Sequence, residues 1–420
     1  MIQTFQLQPG VTLRCFPDNR FKQSLLSLQF LRPMSREESS MNALIPAVLI
    51  RGCQSAPDLR SITLKLDDLY GAAVSCLSRR VGDYQGTGLA IRFISDRYAM
   101  DGDQILEPAI AFLGQLLLEP VLEDGCFVKD FISGEKRNLI SAIESQRNDK
   151  RAYANSQLLK KLCANDSYGL PRVGTVSAVR KITPQSAYTH YQKVLKESPV
   201  EIFYVGDAEP TRIAALLAPL FAKLDRTPIA LPPQTPCHPG RPGDHTETME
   251  ITQGKLAMGF LAPVTIRDEG FGAMQVFNAL FGGGMTNLLF MNIREKLSLC
   301  YDISSSYHGS KGILTVSAGI YCDKYDVVRA QIMEQLEVCR KGEFPEDLFQ
   351  AAKKGVISGL SGVHDSPSAI EGYYGSGILS GMSLTPEAYK EAIHQVTRDQ
   401  VVAYAQRLTL HTTYFLKGVI

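Results

Sequence analysis

No charge of one sign dominates this sequence. Its 44 Lys and Arg stand against 43 Asp and Glu, for a formal charge of +1. A nucleic-acid binder is expected to carry a basic excess or a basic stripe, so the balance argues against a nucleic-acid partner. Long apolar runs are missing too. Runs such as Ala43 to Ile50 fall far short of the ~20 residues of a membrane helix, and no membrane partner is expected. The opening residues Met1-Ile2-Gln3-Thr4-Phe5 have neither the basic region nor the apolar core of a secretion signal. Cysteine is present but unorganised, nine residues with no CxxC spacing, which fits reduced core thiols in a cytoplasmic protein. There is no GxGxxG after a strand, no GxxxxGK[ST] and no GxSxG. The histidines are His190, His238, His245, His308, His364, His394 and His411, and no two lie four apart. Neither HExxH nor HxxEH is formed, so the usual two-histidine zinc helix is absent.

What is present is a repeat. Gly82 and Gly309 are 227 residues apart, and Asp96 with Asp323 and Tyr98 with Tyr325 keep that separation. Between these marks both halves read as an alternating strand, a turn with glycine, a second alternating strand, and Asp-x-Tyr opening a helix. Further on, the run from Lys136 to Ile143 parallels the run from Lys353 to Leu360, offset by 217. Ile182-Thr183-Pro184 parallels Val396-Thr397-Arg398, offset by 214. A drifting offset is what loop insertions and deletions produce.

At 420 residues the chain is too long for one ordinary core. Pro228, Pro232, Pro233, Pro236, Pro239 and Pro242 crowd one stretch and favour an extended linker. We therefore expect domains at 1–225 and 247–420, joined by a Pro-rich segment at 226–246. Strand pairs such as 89–93 and 314–318 alternate with period two, as an antiparallel sheet with one covered face would. Helical patterns run near 101–118, 126–148, 324–340 and 345–361. Strands come in hairpins and helices in runs, so the class is α+β, each half a sheet with helices on one face.

One segment carries more information than the rest. Gly282-Gly283-Gly284-Met285-Thr286-Asn287 reads as a glycine turn with Thr286 or Asn287 as helix cap. A helix containing Ile293-Arg294-Glu295-Lys296 follows, then a strand opening at Tyr301. Taken alone, Arg294 is a solvated helix residue and Tyr301 a packing residue. Together they resemble the glycine-rich turn and arginine–tyrosine element in the C-terminal half of M16 (insulinase-type) metallopeptidases. The resemblance extends over nearly the whole chain and implies two tandem homologous domains forming a half clamshell.

Those enzymes also need an inverted zinc box, HxxEH, in the N-terminal half. The resemblance places it where this chain reads Ala43-Leu44-Ile45-Pro46-Ala47-Val48-Leu49-Ile50-Arg51-Gly52. Ala43 and Ala47 stand at the histidine positions and Pro46 at the general base. Ile143 stands at the distant third ligand, with Glu144 beside it read as a solvated carboxylate. None of the first four can ligate zinc or move a proton. No metal is expected in this chain.

The resemblance further implies that Arg294 and Tyr301 bind substrate backbone and steady the charge developing on a scissile carbonyl. Gly282, Gly283 and Gly284 either form a tight helix-entry turn or take part in substrate recognition, as a longer glycine-rich loop does in non-catalytic processing-peptidase subunits. The expected function is the non-catalytic subunit of a heterodimeric M16B-type endopeptidase, with zinc in an HxxEH partner of similar length. A catalytically inactive scaffold or peptide-binding protein is the alternative. Homodimers are expected when the chain is alone.

Overall fold

The structure is a computed structural model that describes residues 2–419. It packs as two compact units. Unit 1 holds Met1–Glu144, Pro171–Pro233 and His364–Ser376; unit 2 holds Ser145–Leu170, Gln234–Val363 and Gly377–Ile420.

Along the chain, unit 1 opens with β1 (Gln3–Gln8), β2 (Val11–Pro17), β3 (Gln23–Pro33), α1 (Ser39–Leu49) and α2 (Leu59–Asp68). The hairpin β4 (Ala73–Val81) and β5 (Tyr84–Ile94) leads to α3 (Leu106–Leu118), the small hairpin β6 (Leu122–Glu123) and β7 (Cys126–Phe127), and α4 (Lys129–Ser145). The chain then enters unit 2 for α5 (Lys150–Leu162). It returns to unit 1 for α6 (Val176–Lys181), α7 (Pro184–Glu197), β8 (Val200–Gly206) and α8 (Pro210–Ala222). Unit 2 resumes with β9 (Gly243–Met249), β10 (Gly254–Leu261), α9 (Phe271–Asn278), β11 (Cys300–His308) and β12 (Ile313–Ile320). Then come α10 (Tyr325–Lys341) and α11 (Glu346–Ser361). Helix α12 (Pro367–Ser380) lies in unit 1 through Ser376, and α13 (Pro386–His394), α14 (Arg398–Gln406) and β13 (Thr409–Gly418) complete unit 2.

The sheets run β1-β2-β8-β3-β5-β4 and β11-β12-β10-β13-β9. With β1 set aside, the strands correspond one to one. β4·β5, β5·β3 and β3·β8 are antiparallel, as are β11·β12, β12·β10 and β10·β13. Each sheet then ends in a parallel pair, β8·β2 and β13·β9, so the sheets are mixed rather than wholly antiparallel. The repeat reaches individual atoms. Lys136 Nζ donates to the carbonyls of Arg180 and Ile182 at 2.9 and 2.5 Å. Its counterpart Lys353 donates to those of His394 and Val396 at 2.7 and 2.8 Å.

The main helical layer covers one face of each sheet, as the alternating strands predict. In unit 1 that face buries Leu26, Leu28, Leu89, Ile91 and Ile202 against α1, α3, α7 and α8. The packing departs from the expected domains 1–225 and 247–420 because each unit takes a helix from the other half of the chain. Helix α5 sets Ala154 and Leu158 on Ala257, Tyr414 and Leu416 of the unit 2 sheet. A Cβ at Gly259 would lie 2.5 Å from Leu162, so glycine there admits the close approach of α5. Thr315 and Ser317, the polar set of β12, are consequently buried. In unit 1, α12 lowers Glu371 onto the outer face. Its carboxylate accepts from Ser27 Oγ at 2.8 Å and from both Arg79 nitrogens at 2.7 and 2.8 Å.

Candidate functional site

The glycine segment of unit 2 continues α9. A wide π-helical turn, Ala279–Gly283, ends that helix, and Gly284 leaves it in extended backbone (φ −86°). None of the three glycines has positive φ. They are required by close approach instead. A Cβ on Gly282 would meet the Ser305 backbone nitrogen on β11 at 2.8 Å, one on Gly284 would meet the Ala279 carbonyl at 2.7 Å, and one on Gly283 would meet the Asn278 amide. Asn287, not Thr286, is the cap: its Oδ1 accepts from the Phe290 N–H at 2.8 Å and its Nδ2 donates to the Gly284 carbonyl at 2.7 Å. A cleft of about 630 Å³ lies between this turn and α11, lined among others by Asn278, Gly284, Met285, Gly355 and Gly359. Met285 is 98% exposed beside it.

The following helical segment, Phe290–Lys296, is again π-wound. It ends in a corner where Ser298 takes φ +50° and the N–H groups of Ser298 and Leu299 donate to the carbonyls of Arg294 and Ile293 at 3.1 and 3.0 Å. β11 then starts with a bulge between Cys300 and Asp302. Tyr301 is the bulged residue, and its side chain is turned out of the sheet, 74% exposed. Arg294 sits 4.8 Å over the Phe290 ring with Nε 3.6 Å from Glu295, its side chain 42% exposed. Burial and the Asp302 charge push the Cys300 thiol up to about 11, against the opposing Arg294 charge. Next door, Asp302 is balanced by Arg151 at 3.1 Å. The corner thus offers a cation and a phenol, both donors, at an exposed edge.

Unit 1 presents the opposite inventory. In α1, Ala43 and Ala47 are half-buried, one turn apart, and Pro46 is buried inside the helix. The neighbouring Asn42 is fixed from two sides. Its Nδ2 donates to Gln85 at 3.0 Å and its Oδ1 accepts from His190 Nε2 at 2.7 Å. Burial pushes His190 down to about 4, so the ring is neutral with its proton on Nε2. That nitrogen is spent on Asn42 and is no ligand. Ile143 is half-buried on α4 and Glu144 is exposed. Methyl groups, a proline ring and an isoleucine hold no donor atom, and these positions do not fit zinc. Among the described residues, no group of three His, Cys, Asp or Glu side chains is placed to hold a metal. Glu135 is marked by no motif in the sequence. This α4 carboxylate pairs with Arg51, just beyond α1, at 3.3 Å.

A duplicated α+β sheet unit with no donor atom at Ala43, Pro46, Ala47 or Ile143 resembles the inactive members of the M16 peptidase family. Residues 181–356 match the family described as peptidase M16 inactive domain. The chain is 28% identical, over 97% of its own length and 96% of the relative's, to a protein of Bacillus subtilis named "Probable inactive metalloprotease YmfF". Its fold matches that of a conserved protein from Enterococcus faecalis at TM-score 0.91 and 28% identity, covering 100% of this chain and 99% of that one. It matches a peptidase M16 inactive domain from Pseudomonas fluorescens at TM-score 0.82 and 18% identity, over 100% and 98%. At that lower identity the likeness is one of fold alone. No helix among the described residues is long and apolar enough to cross a membrane.

Proposed function

We propose that this chain is the non-catalytic subunit of a heterodimeric M16B-type zinc endopeptidase, working on peptide or unfolded polypeptide in the cytoplasm. The observation that carries the reading is the contrast between a donor-less α1 face and an exposed Arg294–Tyr301 corner. An HxxEH partner of similar length would supply zinc, water and general base. Arg294 and Tyr301 would donate in trans to the substrate backbone and to the oxygen that gains charge. Donors fixed before the reaction stabilise such charge far better in a dry cleft than in water. The glycine turn, with Gly282, Gly283 and Gly284 packed against their neighbours, would hold one wall of the peptide path.

The test is to purify the chain from its native organism and ask whether an HxxEH protein of similar length accompanies it. Mixing the two is expected to give zinc-dependent peptide cleavage that neither gives alone. A second reading has its own observation, the 630 Å³ cleft beside the glycine turn. On that reading the chain binds peptides, or acts as a scaffold, without a peptidase partner. Peptide binding with no co-purifying HxxEH chain would favour it. Alone, the chain is expected to dimerise through the surface a partner would cover, and light scattering at tens of micromolar reads this directly.

A further inference from the structure

All nine cysteines are free thiols, but two of them touch. Cys163 caps the C-terminal end of α5, and Cys237 lies in the Pro-rich segment, 74 residues on. The Cys237 thiol is 3.6 Å from the Cys163 sulfur. Both belong to unit 2.

The contact is held by the backbone around it. The Cys237 N–H donates to the Lys311 carbonyl at 2.9 Å, and the Gly240 N–H to the Leu162 carbonyl at 2.7 Å. The His238 N–H donates to Asp166 at 2.9 Å, and Asn165 Nδ2 to the Pro239 carbonyl at 2.9 Å. Asp166 in turn pairs at 3.0 Å with Lys311, the two side chains only 2% and 0% exposed. Leu162, Ile313 and Leu261 pack around the sulfurs. Such anchoring leaves little for a covalent bond to rearrange. A disulfide needs the sulfurs at about 2.05 Å, a closure that side-chain rotation provides when they already touch. The two sites also differ in access. Cys163 is fully buried, whereas Cys237 is partly open to solvent.

We propose that Cys163 and Cys237 form a reversible disulfide driven by a hydroperoxide, which fastens the Pro-rich segment to the end of α5. In the first step the Cys237 sulfur attacks the peroxide, the O–O bond breaks, and Cys237 becomes a sulfenic acid with release of an alcohol or water. In the second, the Cys163 sulfur displaces the sulfenic oxygen, and its thiol proton leaves with that oxygen as water. Two thiols are oxidised by one electron each, and one peroxide takes up both. The bond would close at a particular place. The chain leaves unit 2 after Leu170 and re-enters it at Gln234, so the link ties exit to re-entry and encloses Pro171–Pro233 of unit 1. Closing so long a loop restricts the unfolded chain and is expected to stabilise the fold.

The experiment uses the full-length protein treated with hydrogen peroxide, then with dithiothreitol. Non-reducing peptide mapping is expected to find Cys163 joined to Cys237, with two of nine thiols lost. Oxidation should raise Tm by about 5 °C, and the reductant should reverse the rise. Cys237→Ser should abolish both effects while keeping the Tm of the reduced protein; Cys126→Ser, a partly exposed thiol elsewhere, should keep both effects. Cys237→Ser is the deciding variant because its site is less buried than Cys163. Sulfinic acid at Cys237 with Cys163 still free, a cross-link mapped to other cysteines, or an unmoved Tm would each overturn the proposal.

Discussion

The two copies of the repeat have kept opposite things. In unit 1, α1 carries half-buried methyl groups at Ala43 and Ala47 and seats itself through Asn42, Gln85 and His190. In unit 2, α9 runs into the glycine turn, and the helix after it ends in an exposed cation and phenol. One copy has become wholly structural at this place. The other, with a bulge and a left-handed Ser298, leaves Arg294 and Tyr301 exposed. The exchanged helices repeat the lesson. Unit 2 seats α5 through Ala154 and Leu158 with Arg151 paired to Asp302 and Tyr153 bonded to Glu247, and unit 1 seats α12 through the buried Glu371 carboxylate. A duplicated architecture thus fixes where elements go without fixing the chemistry that holds them.

Removing each seat sharpens that contrast. Glu371→Ala would leave Arg79 and Ser27 without their acceptor on a buried face, at a cost of about 3–5 kcal/mol. Leu158→Ala opens a cavity between α5 and its sheet, at about 2–4 kcal/mol. Urea unfolding reads both, and hydrogen exchange should assign the first loss to unit 1 and the second to unit 2. Equal loosening of both units by either change would contradict independent seating.

A pH titration probes the seat of α1. Burial, together with the Arg32 and Lys193 charges, lowers the pKa of His190, against the opposing pull of Glu38 and Glu197. Its folded value of about 4 lies below the unfolded 6.5. Between these values the unfolded chain binds a proton that the folded chain refuses. Stability is therefore present above 6.5 and falls as pH drops toward 4, by up to roughly 3 kcal/mol. His190→Gln keeps an N–H for Asn42 and does not titrate, so its stability profile over this window should be flatter. An unchanged slope would place the acid sensitivity elsewhere.

The smallest expected effect is none at all. Ala43→His with Pro46→Glu and Ala47→His would restore the box that the resemblance implies, yet Ile143, at the implied third-ligand position, would still lack a donor, so no peptidase activity is expected from this chain alone. Cleavage by the triple variant would mean that unit 1 had lost only those side chains.

Much of the fold was legible because paired positions keep the same job. Lys136 and Lys353 were matched by their place in parallel runs and make the same two-carbonyl contact. The helix exchange was not legible. Ala154, Leu158 and Leu162 mark an amphipathic helix but not the sheet it covers, and Glu371 stands in a glycine-rich, weakly patterned run while its donors, Ser27 and Arg79, lie far away in sequence. Pro46 lies buried inside α1 and withdraws only its own N–H from the helix ladder. At the corner, the order of glycine, arginine and tyrosine was readable. The bulge that exposes Tyr301 was not, since a register shift depends on the facing strand.

The central claim is that Arg294 and Tyr301 serve a catalytic site completed by another chain. Its most direct test is peptide turnover by the mixed subunits, comparing Arg294→Ala and Tyr301→Phe with Lys296→Ala, an exposed neighbour on the same helical segment. The account predicts a loss of about tenfold to a thousandfold for the first two with the complex intact, and little change for the third. Equal loss from Arg294→Ala and Lys296→Ala, or no loss from either, would contradict it.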